Sequence, residues 1–343
     1  MSLPDRDLPR KANRLGLYIP FGLALLLIVG WTAAWLWMRG EARERLETTA
    51  SELRRAGYEV SWKRLGIGGY PFRLNLSLSE PRIREPSGWA LQAPTLEAQA
   101  PAYAPGEWLL AAPEGLTFVR PIGGPVAVKG RLLRASLADP AAHPPSLSVE
   151  GADLTFAPAA GAQPFALSAA KAFELHLRAM PEDQGVIRFK VDNGKARLAG
   201  LFARIAGDKP VSMVFEGVFS EASAFAGRDW ASAVRAWTDG GGQMSVRQAG
   251  VTAGQAVLGA QSGTLTVGAD GRLRGSIDAS LRQAPMALGA MGQAGVIPPE
   301  SAAAASAVAQ ARQTGDVARA TLTFEAGQTT LGPVAIGPAP RVY

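Results

Sequence analysis

Over residues 72–79 the chain reads "FRLNLSLS", with Phe72, Leu74, Leu76 and Leu78 alternating strictly with polar residues. A period of two buries one face of a pleated strand, whereas the apolar stripe of a helix recurs every three or four residues. The same period returns at Leu147 and Val149, at Leu154 and Phe156, at Phe173, Leu175 and Leu177, and at Ile187, Phe189 and Val191. In 343 residues, 39 glycines and 25 prolines supply the turns that many short strands need. "DNGK" at 192–195 and "ADGR" at 269–272 are hairpin signatures, because both central positions of that turn take positive φ. The expected fold is mainly β, a long antiparallel, curved sheet or groove, with Phe72, Leu74, Leu76 and Leu78 as its candidate apolar face.

Residues 15–38, "LGLYIPFGLALLLIVGWTAAWLWM", carry no ionisable group except Tyr18. As a helix they span roughly 36 Å at ~1.5 Å per residue, enough for a bilayer core of about 30 Å. Tyr18 lies towards one end and Trp31, Trp35 and Trp37 towards the other, where amphipathic rings favour the headgroup zone. A cleaved signal peptide would also begin with basic residues (Arg6, Arg10, Lys11, Arg14) and end at small ones, here "TAA" at 32–34. Its apolar core is about 7 to 15 residues, shorter than this run, which favours an uncleaved anchor.

The expected layout is a basic cytoplasmic tail (1–14), a transmembrane signal-anchor helix (15–38), an amphipathic stalk helix (39–57) and a β-rich periplasmic domain (58–343). Basic residues flank the span almost equally, with Arg39, Arg43 and Arg45 after it. The short tail opposite a long domain favours the amino terminus inside. In the stalk, Ala42, Leu46, Ala50 and Leu53 fall at helical spacing, Glu41 stands four before Arg45, and Gly57 marks the stop. The narrow stripe suits packing on the domain's own sheet better than lying on lipid.

Two later interruptions read as helical, "RDWASAVRAWTDGGG" at 228–242 and an alanine-rich pair at 282–314 broken by Pro298 and Pro299. The first is the best candidate domain boundary, although no clean break appears. The second suits a core helix better than a lid. Strands return with Leu322 and Phe324, then Leu331, Val334 and Ile336.

With no cysteine, disulfides, thiolate metal sites and cysteine nucleophiles are excluded. The formal charge of +6 is not gathered into a basic block with interleaved aromatics, so no nucleic-acid partner is expected. The cluster "LGIGGYP" at 65–71 fails the dinucleotide pattern, since Pro71 takes the third glycine's place and a strand follows. Its glycines read instead as a bend or close backbone approach, with Pro71 at the first position of the strand. His143 sits in a loop and His176 on a polar strand face beside Glu174 and Arg178, without a second ligand or a nucleophile elbow. "SAAK" at 168–171 matches S-x-x-K but lacks its companion motifs, and the sequon "NLS" at 75–77 lies within a strand. No catalytic residue, metal ligand or cofactor is assigned.

The run "AGYEVSWKRLGIGGYPFRLNLSLSEP" at 56–81 and the ending "TLTFEAGQTTLGPVAIGP" at 321–338 resemble the uncharacterised bacterial family DUF2125. Its members are envelope proteins with one amino-terminal span, and Gly-Tyr-Pro-Phe-Arg at 69–73 is the specific part. The plan is also similar to the AsmA-like group, in which an anchored antiparallel sheet curls into a groove implicated in lipid handling. The resemblance implies an inner-membrane protein whose periplasmic domain binds lipid or supports envelope assembly, with an envelope protein as a further partner. The alternatives are a closed sheet that only scaffolds proteins and, last, an anchored hydrolase.

Overall fold

The computed structural model describes residues 15–139, 142–165, 167–196, 209–225, 227, 229–253, 256–282, 288–289, 292, 298–311, 313–314, 317–332 and 334–343. Helix α1 (Leu15–Arg55) carries the apolar run and the stalk as one continuous 41-residue rod, with no break between them. It is long and apolar enough to cross a membrane. Glu41 and Arg45 pair at 2.7 Å, as their spacing predicts. Ala50 is fully buried, and the helix stops where Tyr58 N–H returns to the Leu53 carbonyl beside Gly57.

Among the described residues, 21 strands form one antiparallel sheet. The first ten are five long strands, each broken once by a corner: β1 (Glu59–Ser61) with β2 (Arg64–Gly68), β3 (Arg73–Ser79) with β4 (Arg82–Arg84), β5 (Ala90–Gln92) with β6 (Thr95–Pro101), β7 (Trp108–Ala111) with β8 (Leu116–Arg120), and β9 (Gly124–Lys129) with β10 (Leu132–Ala138). On one side of the corners the order is β2, β3, β6, β7, β10. On the other it is β1, β4, β5, β8, β9. Both arms join β11 (Ser146–Pro158), whose first part pairs with β10 and whose last part pairs with β9.

The corners are written in backbone chemistry. Glu80 takes φ +50° and donates to the Pro94 carbonyl, and Ala93 donates to the Pro81 carbonyl. Neither proline has an N–H to offer the ladder. Gly115, at φ +83°, lies so close to its neighbour that an added Cβ would sit 2.4 Å from the Val128 carbonyl oxygen. Asp153, at φ +51°, bends β11 and holds Arg131 at 2.8 Å.

Beyond β11 the sheet continues as a meander of long strands: β12 (Leu167–Met180), β13 (Gln184–Ala196), β14 (Val211–Phe219), β15 (Met244–Ala253), β16 (Ala256–Val267) and β17 (Leu273–Arg282). The short β18 (Gln313–Thr314) and β20 (Gln328–Leu331) flank β19 (Val317–Glu325), which pairs with β17, and β21 (Val334–Pro338) closes the edge. "ADGR" does turn β16 into β17. "DNGK" does not turn the chain: it lies inside β13, where Asn193 at φ +47° makes a bulge and the register shifts between Val191 and Gly194. The turn from β12 to β13 uses Glu182 and Asp183, both at positive φ. The reading of the glycine cluster holds at Gly69, whose φ of +99° makes the bend and close approach, and is corrected elsewhere, for Gly66 and Gly68 lie within β2 and Pro71 lies in the turn ahead of β3.

Helix α2 (Trp230–Asp239) is capped by Asp229, which accepts from the Ser232 N–H. It is no domain boundary, because β14 and β15 pair directly across it. Helix α3 (Pro299–Ala311) starts at the proline expected to interrupt the alanine-rich pair and buries Ala302, Ala305 and Ala309. Much of the segment before Pro298 lies outside the described residues, and Gln313 and Thr314 are strand.

Candidate functional site

Most corners change which residues face inward, the exception being that from β7 to β8, where Leu110 and Leu116 both face in. On β3 the inward set is even-numbered (Leu74, Leu76, Leu78), while past Glu80 it is Ile83. On β11 it passes from Leu147 and Val149 to Leu154 and Phe156 across Asp153. The shift keeps apolar side chains on the concave side as the sheet folds over itself. Between the arms lies a cavity of about 320 Å³. Leu78, Leu96, Leu110, Leu133 and Val149 line one wall, and Ile83, Leu91 and Leu116 the other. Ala93, Ala111, Ala112 and Ala135 leave the space by their small size. Arg82 and Arg134 stand among the lining residues, with Arg134 held at 2.6 Å by Glu150 and Arg82 at 3.9 Å by Glu59.

Ile83 and Leu91 also line an adjoining cavity of about 550 Å³, whose far wall is α2. There the Trp230 N–H donates to Glu85 at 2.6 Å, and the Trp230 ring N–H donates to the Val342 carbonyl. Helix α2 thus ties the turn between β4 and β5 to Val342. Tyr58 lines this second space, and its hydroxyl is pushed above the ordinary tyrosine pKa by burial, then by the charges of Glu85 and Asp229. The two cavities together form an elongated, mostly apolar crease that stays partly open, since Leu91 is 46 % exposed.

The four residues expected to form the apolar face part company. Leu74 and Leu76 are buried under α1, packed with Ile67, Ala102 and Trp35. Leu78 lines the crease. Phe72 belongs to the turn before β3 and is exposed. That turn grips the helix: the ring N–H groups of Trp31 and Trp35 each donate at 2.9 Å, to the Pro71 and Arg73 carbonyls. The Thr32 hydroxyl donates to the Ile28 carbonyl, so it accepts from the Tyr70 hydroxyl at 2.8 Å. Gly69, at φ +99°, lets the turn close where a Cβ would meet the Arg73 carbonyl oxygen at 2.6 Å. Gly-Tyr-Pro-Phe-Arg is therefore a helix clamp.

Of the other candidates, His176 and Ser168 make structural contacts. His176 meets Ser148 at 3.0 Å and Glu174 at 3.8 Å on the polar face. His143 is exposed. The Ser168 hydroxyl donates to the Lys195 carbonyl. Among the described residues no group of three or more His, Asp or Glu side chains could hold a metal ion. Sequence reasoning missed Leu91, Leu110 and Leu116, whose strands of three to five residues are too short to show a period, and Leu96 and Leu133, whose seven-residue strands blur it with alanines or with two adjacent leucines.

No curated protein and no solved structure matches the chain. One family model does, described as an uncharacterized protein conserved in bacteria (DUF2125), over residues 35–340. The match begins at the tryptophan that α1 offers to the clamp and runs through β21, so the chain belongs to the DUF2125 family.

Proposed function

We propose that the chain is a single-pass protein of the bacterial inner membrane, amino terminus in the cytoplasm, whose periplasmic sheet holds the acyl part of a lipid in its crease. The supporting observation is the lining, eight branched aliphatic side chains drawn from both arms and β11 with alanines between them. If a methylene needs roughly the 30 Å³ of a water molecule, the first cavity takes about ten. At ~0.8 kcal/mol for each methylene removed from water, that is about 8 kcal/mol before the cost of immobilising the lipid. The arrangement is one that a groove similar to the AsmA-like plan would require.

The test is to extract the full chain in mild detergent, remove free lipid and analyse what remains by mass spectrometry. Wild type is expected to carry lipid. Leu91→Glu, a substitution at an exposed position, is expected to lose it while keeping its circular dichroism. A folded, lipid-free wild type that also takes up no fluorescent phospholipid would leave the sheet as a protein scaffold.

A further inference from the structure

The aromatic clamp grips α1 within its apolar run. Counted from Leu15 at ~1.5 Å per residue, a hydrocarbon core of about 30 Å is crossed after about 20 residues, near Ala34. Trp31 and Thr32, which hold Pro71 and Tyr70, lie short of that point. A turn bonded there cannot stand clear of the bilayer that α1 crosses. Its side chains match that position: Tyr70 is 50 % exposed and Phe72 68 %. Beside them the turn after β6 presents Tyr103, 81 % exposed. Phe72 and Tyr103 line one cleft of about 590 Å³ together with Arg73 and Trp108. Tyrosine and tryptophan rings with an arginine are the composition that favours the headgroup zone, and Phe72 adds an apolar ring beside them.

We infer that the β2–β3 and β6–β7 turns form a membrane seat: Tyr70, Phe72 and Tyr103 enter the interface of the leaflet from which α1 emerges. The inference rests on the anchoring part of the proposed function and is independent of what fills the crease. The seat fixes the tilt of the sheet. Its lipid is the bilayer itself, met by aromatic rings and one guanidinium. Two points of attachment, the helix and the seat, leave the domain little freedom to swing, so the crease keeps a constant orientation to the membrane surface.

The absence of cysteine makes the test direct. Four single-cysteine variants of the full chain, Leu26→Cys, Phe72→Cys, Tyr103→Cys and Ala160→Cys, are labelled with bimane in vesicles of phosphatidylethanolamine and phosphatidylglycerol. Ala160 follows β11, at the end of the strand away from the seat. Nitroxide lipid is expected to remove most of the fluorescence at positions 26, 72 and 103 and little at 160, and aqueous iodide to do the reverse. If position 26 is quenched by lipid while 72 and 103 behave like 160, the seat is refuted and the anchor stands. If position 26 escapes the lipid quencher, anchor and seat fall together.

Discussion

Strands β1–β10 are three to seven residues long and folded about a row of corners that reaches Asp153 of β11, whereas β12–β17 run nine to fourteen residues with bulges but no corner. Both halves alternate apolar and polar residues, yet they use the space beneath the sheet differently. Under the long strands aromatic rings fill it: Phe173 meets Phe189 edge-on at 5.5 Å, and Phe225 stacks on Trp237 at 5.0 Å. Between the folded arms the lining is leucine, isoleucine, valine and alanine, and a cavity remains. A corner sets two sheet faces opposite each other, and the size of the side chains then decides whether the gap is a core or a site.

The largest expected contrast lies in the backbone. Gly115→Ala puts a Cβ at 2.4 Å from a main-chain oxygen and at positive φ. A loss of about 3 kcal/mol or more is expected, measured by urea denaturation. Gly259→Ala, in the long half, meets nothing nearer than Ser280 Oγ at 3.4 Å and should change stability by less than about 1 kcal/mol. Equal losses would mean that the corner is not a rigid feature.

Side-chain volume gives the next contrast. Ala170 is 3 % exposed in a packed cluster with Leu154, Leu167 and Val191, so Ala170→Leu should cost about 1 to 3 kcal/mol by overpacking. Ala135 borders the cavity. Ala135→Leu should leave stability unchanged or raise it by up to about 1 kcal/mol, and should reduce the lipid carried by the purified chain. A comparable loss of stability at both positions would show the crease to be as tightly packed as the core.

The same contrast explains what the sequence could reveal. Long strands display their period over many residues, so β11, β12 and β13 were legible and with them the fold class. β4 and β5 have three residues each, too few to establish a period, and the change of parity at Glu80 disguises Leu78 and Ile83 as unrelated. Asn193 and Gly194 could serve a hairpin or a bulge, because both need an unusual φ, and only the pairing of β13 with β14 decides. Trp31 and Trp35 fitted the membrane interface, a reading that hid their second task. A ring N–H that seeks a carbonyl looks the same in sequence whether the carbonyl belongs to a lipid ester or to residue 71.

The smallest contrast concerns charge. Among the described residues each half has one lysine held by a carboxylate, the exposed Lys63 by Glu80 at the corner and the half-buried Lys190 by Asp192 beside the bulge. In both, the hydrogen bond first and the carboxylate's charge second raise the lysine pKa. A folded pKa above the unfolded one means that the contribution is complete below the unfolded value and is lost as pH rises through the folded one. The window therefore opens near about pH 10.4, the ordinary lysine value, and extends upward. Lys63→Met and Lys190→Met should each flatten the alkaline fall of the melting temperature slightly, with no change near neutrality. The two effects separate in location: Lys63 and Glu80 straddle the corner, so its loss should also raise hydrogen exchange at the Lys63 amide, which donates to the Ser79 carbonyl. Lys190 and Asp192 lie on one strand two residues apart, and their loss should leave exchange in β13 unchanged. Increased exchange at both sites would mean that the corner is no softer than the long ladder beside it.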